Sequence, residues 1–127
     1  MKITTMIARL LLGLIFAFFG SNLLLNFLHS PMPTGIAGQF FGALFASHFI
    51  QVVAVFQVVP GILLLINRYV PLALALLGPV IFNICLVHIL MAPSGLPMAA
   101  FLVILWILTA YRVRSVFLPL LRQRVSE

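Results

Sequence analysis

Acidic side chains are almost missing from this chain: Glu127, at its end, is the single one among 127 residues. Charged residues of either sign make up 6% of the sequence, where a soluble domain carries roughly a quarter. With 65% of the residues hydrophobic, too little polar surface exists to cover a globule in water. Cysteine is equally scarce. Cys85 stands alone, which excludes an intramolecular disulfide and any CxxC redox pair, and with them the thiol mechanism of small four-helix quinone enzymes. No carboxylate is available inside the chain for a metal site. Nucleophile elbow, P-loop and zincin helix are all absent, as are internal repeats and low-complexity segments.

Long apolar runs are what the sequence does contain. Spanning a bilayer takes about 20 mostly apolar residues per helix, and four such runs use up most of the chain. They fall at about residues 10–28, 49–66, 70–91 and 96–111. The first follows Lys2 and Arg9 as a signal peptide would, but it is long, and Phe18 and Phe19 occupy the place of a small-residue cleavage site. It is read as a retained helix, opened by Arg9 with its stem reaching to the head groups. Gly13, Ala17 and Gly20 line one face of it, a stripe that lets another helix approach closely, within the chain or in a second copy. Turns follow from Ser30-Pro31-Met32-Pro33-Thr34-Gly35, Asn67-Arg68-Tyr69 and Ala92-Pro93-Ser94-Gly95. Residues 36–47 are apolar and uncharged but too short to cross, which predicts a short interfacial helix after the first span. Pro60-Gly61 is expected to kink the second span. The expected fold is an all-α, integral membrane four-helix bundle forming one domain over residues 1–127, with 112–127 as an interfacial tail.

Charge sets the orientation. Four spans put Lys2, Arg9, Arg68, Arg112, Arg114, Arg122 and Arg124 on one side, while residues 29–48 and 92–95 carry no charge. Basic loops face the cytoplasm, so both chain ends are expected there, in a bacterial inner membrane, with Tyr69 and Tyr111 at that interface. The net charge of +6 then reflects acidic lipid rather than nucleic acid.

Uncharged polar residues gather at the opposite depth. Asn22, Asn26 and His29 end the first span; His48, Gln51 and Gln57 lie on the second; Asn83 and His88 occupy the outer half of the third. No spacing among the three histidines supports a metal, and none is expected. A quinone or similar lipophile fits better, because its carbonyls need a few donors in an apolar slot and these side chains supply them without a buried charge. His48, Gln57, Asn83 and His88 are the candidate pocket, with Phe40 and Phe41 as a lid; Asn22, Asn26 and His29 are secondary. Histidine also exchanges a proton near neutral pH. The plain alternative is that these side chains bond one another and hold the helices together.

Several strings resemble one family. Arg9-Leu10-Leu11-Leu12-Gly13-Leu14-Ile15-Phe16 followed by Gly20 and Asn22, Val52-Val53 through Gln57-Val58-Val59 to Gly61, Asn67-Arg68-Tyr69-Val70-Pro71, and Pro79 to Asn83 and His88 resemble, in order and spacing, the DoxX-like small bacterial membrane proteins. The resemblance covers about Arg9 to Tyr111. It implies a four-helix membrane fold and, from some relatives, a subunit or accessory role in a quinone-linked redox complex with a partner protein. Relatives often carry an acid where Gln57 stands; an amide donates a hydrogen bond but carries no proton. Two other readings stay open: a non-catalytic scaffold or anchor that recruits a partner through its basic face, and a binding or transport protein for a small lipophile. Self-association to a homo-oligomer is open as well.

Overall fold

The computed structural model describes residues 2–25 and 33–121. Asn26, His29 and the chain after Leu121 lie outside the described residues. Within them the chain forms α1 (Lys2–Leu25), α2 (Gly35–Ala46), α3 (Phe49–Leu65), α4 (Val70–Leu90), α5 (Leu96–Arg112) and α6 (Arg114–Phe117), with 3₁₀ turns at Pro93–Gly95 and Leu118–Leu121 and no strand. An apolar surround offers no partner for a bare N–H or C=O, and a helix satisfies its own backbone. An all-helical chain is what such a composition permits.

Helix α1 starts eight residues before the apolar run does. Hydropathy marks depth in a bilayer, not the end of a helix, and Lys2 to Ala8 contains no breaker. Thr5 donates from Oγ1 to the Lys2 carbonyl at 3.0 Å, so its hydroxyl is satisfied within the turn. The boundaries of α2 to α5 lie within a residue of those expected, while the expected end of the first span at residue 28 falls outside the described residues.

The turns show why the helices stop. After Ile66, Asn67 enters the left-handed region at φ 57°. Its N–H donates to Leu64 O at 3.3 Å, and that of Arg68 to Leu63 O at 3.0 Å. These are the two bonds of a Schellman cap, in which asparagine tolerates the left-handed position. A left-handed residue also separates α2 from α3, with one cap bond from His48 N–H to Phe45 O at 3.3 Å. His48 adopts φ 64°, and Ser47 Oγ accepts the Phe49 N–H at 3.3 Å. The two helices meet there at 88°.

That bend bears on the number of spans. Helices α1, α4 and α5, the last with its preceding turn, are each long and apolar enough to cross a membrane; α2 and α3 make a fourth span only as a bent pair. Helix α3 has 17 residues. At 1.5 Å per residue it reaches about 25 Å, a little short of the hydrocarbon core of about 30 Å. The short helix after the first span is present, set across α3.

Helices α1, α3, α4 and α5 close into a ring, with α2 leaning mainly on α3. The best-packed part of the core joins Leu12 and Phe16 of α1, Leu64 of α3, Leu74 and Leu77 of α4, and Leu102 and Leu105 of α5. Neighbours run antiparallel. Lys2, Arg9, Arg68 and Arg112 therefore end at one pole, which the aliphatic core adjoins. Large apolar side chains such as Leu14, Phe19, Val52, Phe82 and Ile104 stand exposed on the outside of the ring. Water-soluble monomers rarely tolerate such a belt. The apolar helices suit a multi-pass membrane protein.

The tightest contact in the molecule is α1 on α3. A Cβ added to Gly61 would lie 2.6 Å from Ala17 N and 2.9 Å from Gly13 O; one added to Gly13 would meet Gly61 O at 2.8 Å. Further out, Gly20 faces Gln57 and Val58. The small stripe of α1 is thus engaged inside the chain, against a glycine that α3 supplies.

Arg9 turns inward as well as toward the pole. Its Nη1 donates to the carbonyl of Leu64, in the last turn of α3. The four last carbonyls of a helix lack intrahelical donors and carry partial negative charge, so a guanidinium from α1 caps α3. Across the ring, Trp106 Nε1 of α5 donates to Leu74 O of α4 at 3.0 Å.

Candidate functional site

The polar residues of the outer half meet different fates. Gln57 points into the bundle. It is 8% exposed and sits midway along α3, where α1 presents Gly20; a Cβ at Gly20 would lie 2.9 Å from Gln57 Cβ. The missing side chain at Gly20 is what lets the glutamine fit between the helices. Its amide makes no hydrogen bond to any described residue, although no side-chain polar atom that is wholly buried lacks a partner. The amide is therefore almost enclosed and retains its donors and acceptor. A primary amide in that state costs stability unless water or a ligand completes it.

Asn83 points the other way. It is exposed on α4, and its Nδ2 donates to Pro79 O, one turn back, at 2.9 Å. His88 is half-buried. Its Nδ1 donates to Ile84 O at 2.8 Å, which places the proton on Nδ1 and leaves Nε2 an acceptor in the neutral ring. The Cδ2–Nε2 edge of the imidazole sits against Gly95, so closely that a Cβ there would collide with the ring. The glycine of the α4–α5 turn is thus the seat of His88. In this arrangement the neutral ring has no donor left for a carbonyl ligand. His48 is exposed at the bend between α2 and α3, where its backbone conformation ends one helix and starts the next.

No hydrogen bond joins any two of His48, Gln57, Asn83 and His88. Gln57 is interior while Asn83 is exterior, so these two do not line one internal slot. Asn22 is half-buried and has a bonding partner; Asn26 and His29 fall outside the described residues. Phe40 and Phe41 stack edge to face at 5.6 Å on α2. Ser21 and Thr109 bond back to carbonyls of their own helices, at 2.7 Å to Ala17 O and 2.8 Å to Leu105 O.

The two best-formed hollows lie elsewhere. One, of about 120 Å³, is an apolar groove between α3 and α4 beside Pro60, lined by Val55, Phe56, Val59, Pro60 and Leu76. The other, of about 180 Å³, runs between α1 and α5 along Thr4, Ile7, Ala8, Leu11, Leu105 and Leu108. Neither touches the candidate polar residues. Among the described residues no three His, Cys, Asp or Glu side chains gather as a metal site would require.

The contacts made by two residues that matter to the architecture escaped the sequence reading. Trp106, the sole tryptophan, bonds α5 to α4, and Gly78 lies opposite its ring, where an added Cβ would make ordinary contact at 3.8 Å. A lone tryptophan deep in an apolar run, with a glycine on another run, was the available signal. The second residue is Arg9, whose inward bond to Leu64 has no local sequence signature.

Comparison with protein-family models, curated proteins and solved structures finds no match to the chain.

Proposed function

We propose that this is a multi-pass protein of the bacterial inner membrane, of the DoxX-like kind, with four spans and both chain ends in the cytoplasm. The asymmetry of its basic residues supports that orientation. We further propose that it serves a quinone-linked redox complex as a lipophile-binding subunit. The observation that carries this reading is Gln57: a nearly enclosed amide with no bond to a described residue, in an otherwise apolar interface.

The residues present fit a quinone in one limited sense. When bound, a quinone supplies the acceptor for a redox partner's electrons. Gln57 offers a hydrogen bond to one carbonyl from a largely buried position between α1 and α3. No carboxylate or free imidazole donor stands beside it. The chain's own contribution is therefore to bind and orient, with electron transfer left to a partner.

The test is to purify the full chain gently from membranes, extract the retained lipophiles and identify them by mass spectrometry. A quinone retained by the wild type and lost from Gln57→Leu, with the bundle still folded, is the expected result. Equal retention by both proteins, or no quinone in either, removes the assignment.

A scaffold or anchor is the second reading. The two apolar grooves, neither reaching the polar residues, favour it. Recruitment would then use the basic pole, where Arg114 lies 4.2 Å over the Tyr111 ring and bonds its carbonyl at 2.8 Å.

A further inference from the structure

The outward face of α4 carries a polar group that lipid cannot satisfy. Leu72, Ala75, Pro79, Phe82, Asn83 and Leu86 are all exposed and recur at helical spacing, so they form one stripe. At 1.5 Å per residue Asn83 lies about 10 Å inside the Leu90 end of α4, below the head groups of a spanning helix. One of its two N–H donors goes to Pro79 O. The second N–H and the side-chain carbonyl make no bond to a described residue. One turn below, Pro79 lacks the N–H that would close onto the Ala75 carbonyl. Both features lie on the same stripe.

We propose that this stripe pairs with α4 of a second copy of the chain, the amide of Asn83 bonding that of Asn83 of the partner subunit. Self-pairing follows from electrostatic complementarity. A primary amide presents a positive NH₂ and a negative carbonyl, so two amides related by a twofold axis each supply what the other lacks. Copies inserted by one charge bias share one orientation. Their twofold axis then lies along the membrane normal, and residues of equal depth meet. A single asparagine at a helix interface selects its own kind in the same way. Pro79 and Ala75 keep the stripe shallow one and two turns from the amide, where a neighbouring helix must come close. The other small-residue face, Gly13-Ala17-Gly20, is engaged by α3 and not open to a second copy.

The inference rests on insertion in a membrane with one topology, and its test keeps the two apart. In a Cys85→Ser background, Leu86→Cys is placed on the stripe and Ile104→Cys on the exposed face of α5. The full-length proteins are expressed in cells, and alkali-washed membranes are oxidised. A disulfide-linked dimer is expected from Leu86→Cys and not from Ile104→Cys. Asn83→Leu should lower its yield about tenfold, in line with about 1–2 kcal/mol for an interhelical polar contact, and Asn83→Gln should restore part of it. A chain absent from the washed membranes overturns the membrane reading together with this one. A chain present there overturns the pairing alone if the dimer forms equally from Ile104→Cys or survives Asn83→Leu unchanged. A mixed disulfide with a different protein in place of the dimer also overturns it.

Discussion

Replacing Gly61 with alanine tests the packing that organises the bundle. The added methyl would stand 2.6 Å from Ala17 N, 2.9 Å from Gly13 O and 3.1 Å from Ala17 Cα. All three are backbone atoms, so no side chain can swing aside. Ordinary contact begins at 3.4 Å, so α1 and α3 must part by roughly 0.8 Å at this point. A gap of that size forfeits between a quarter and a half of the dispersion well for each contact it opens. Overpacking a tight site costs about 1–3 kcal/mol. Alanine's better helix propensity offsets little here, because an unpacked helix in an apolar solvent remains a helix. The expected loss is about 2 kcal/mol, near a thirtyfold shift in the folding equilibrium. Reversible unfolding in mixed micelles, with denaturing detergent titrated and Trp106 fluorescence followed, measures it. Gly78→Ala is the matched control. Its nearest atom is Trp106 Cζ2 at 3.8 Å, so stability should stay within about 0.5 kcal/mol of wild type. A Gly61→Ala protein that unfolds with the wild type, or a Gly78→Ala protein that loses as much, would refute the reasoning.

Arg9→Met keeps the length and apolar stem but removes the donor to Leu64 O. It should cost about 1–2 kcal/mol in the same titration, with Arg9→Lys recovering part; no loss in Arg9→Met would mean that water or lipid serves that carbonyl equally well. Trp106→Phe removes only the Nε1–H bond to Leu74 O and some ring area. A loss of about 1 kcal/mol is expected from the circular-dichroism melt, and a variant as stable as wild type would show that bond to contribute nothing net.

Much of the architecture was legible in the sequence. The helices begin and end where apolar runs meet Asn67-Arg68-Tyr69, the Pro93-Ser94-Gly95 turn and the Pro-rich stretch before α2. Those are local matters of solvation and backbone preference, and a residue's identity carries them. The separation of a charged pole from a polar outer half is equally a property of order along the chain. The candidate site was legible only as a depth layer. Asn83 and His88 lie in the half of the bundle away from the basic pole and Gln57 midway along α3, yet Gln57 faces α1, Asn83 faces outward and His88 bends back onto its own helix.

The reason is that these helices are apolar all round. In a water-soluble bundle a polar stripe marks the outside of each helix. On these helices the exterior and the interior carry the same kinds of side chain, and facing is left unmarked. Composition, breakers and charge therefore determined by themselves that the chain is helical, where it turns and which pole is basic. Tertiary packing alone decided that Gly13 and Ala17 accept Gly61 of α3 while Gly20 receives Gln57 and Val58, that Arg9 caps that helix and that Trp106 reaches Leu74. It also decided that Gln57 is enclosed while Asn83 is not. Each of those outcomes depends on which surfaces fit at backbone distance, a relation between segments that no single segment encodes.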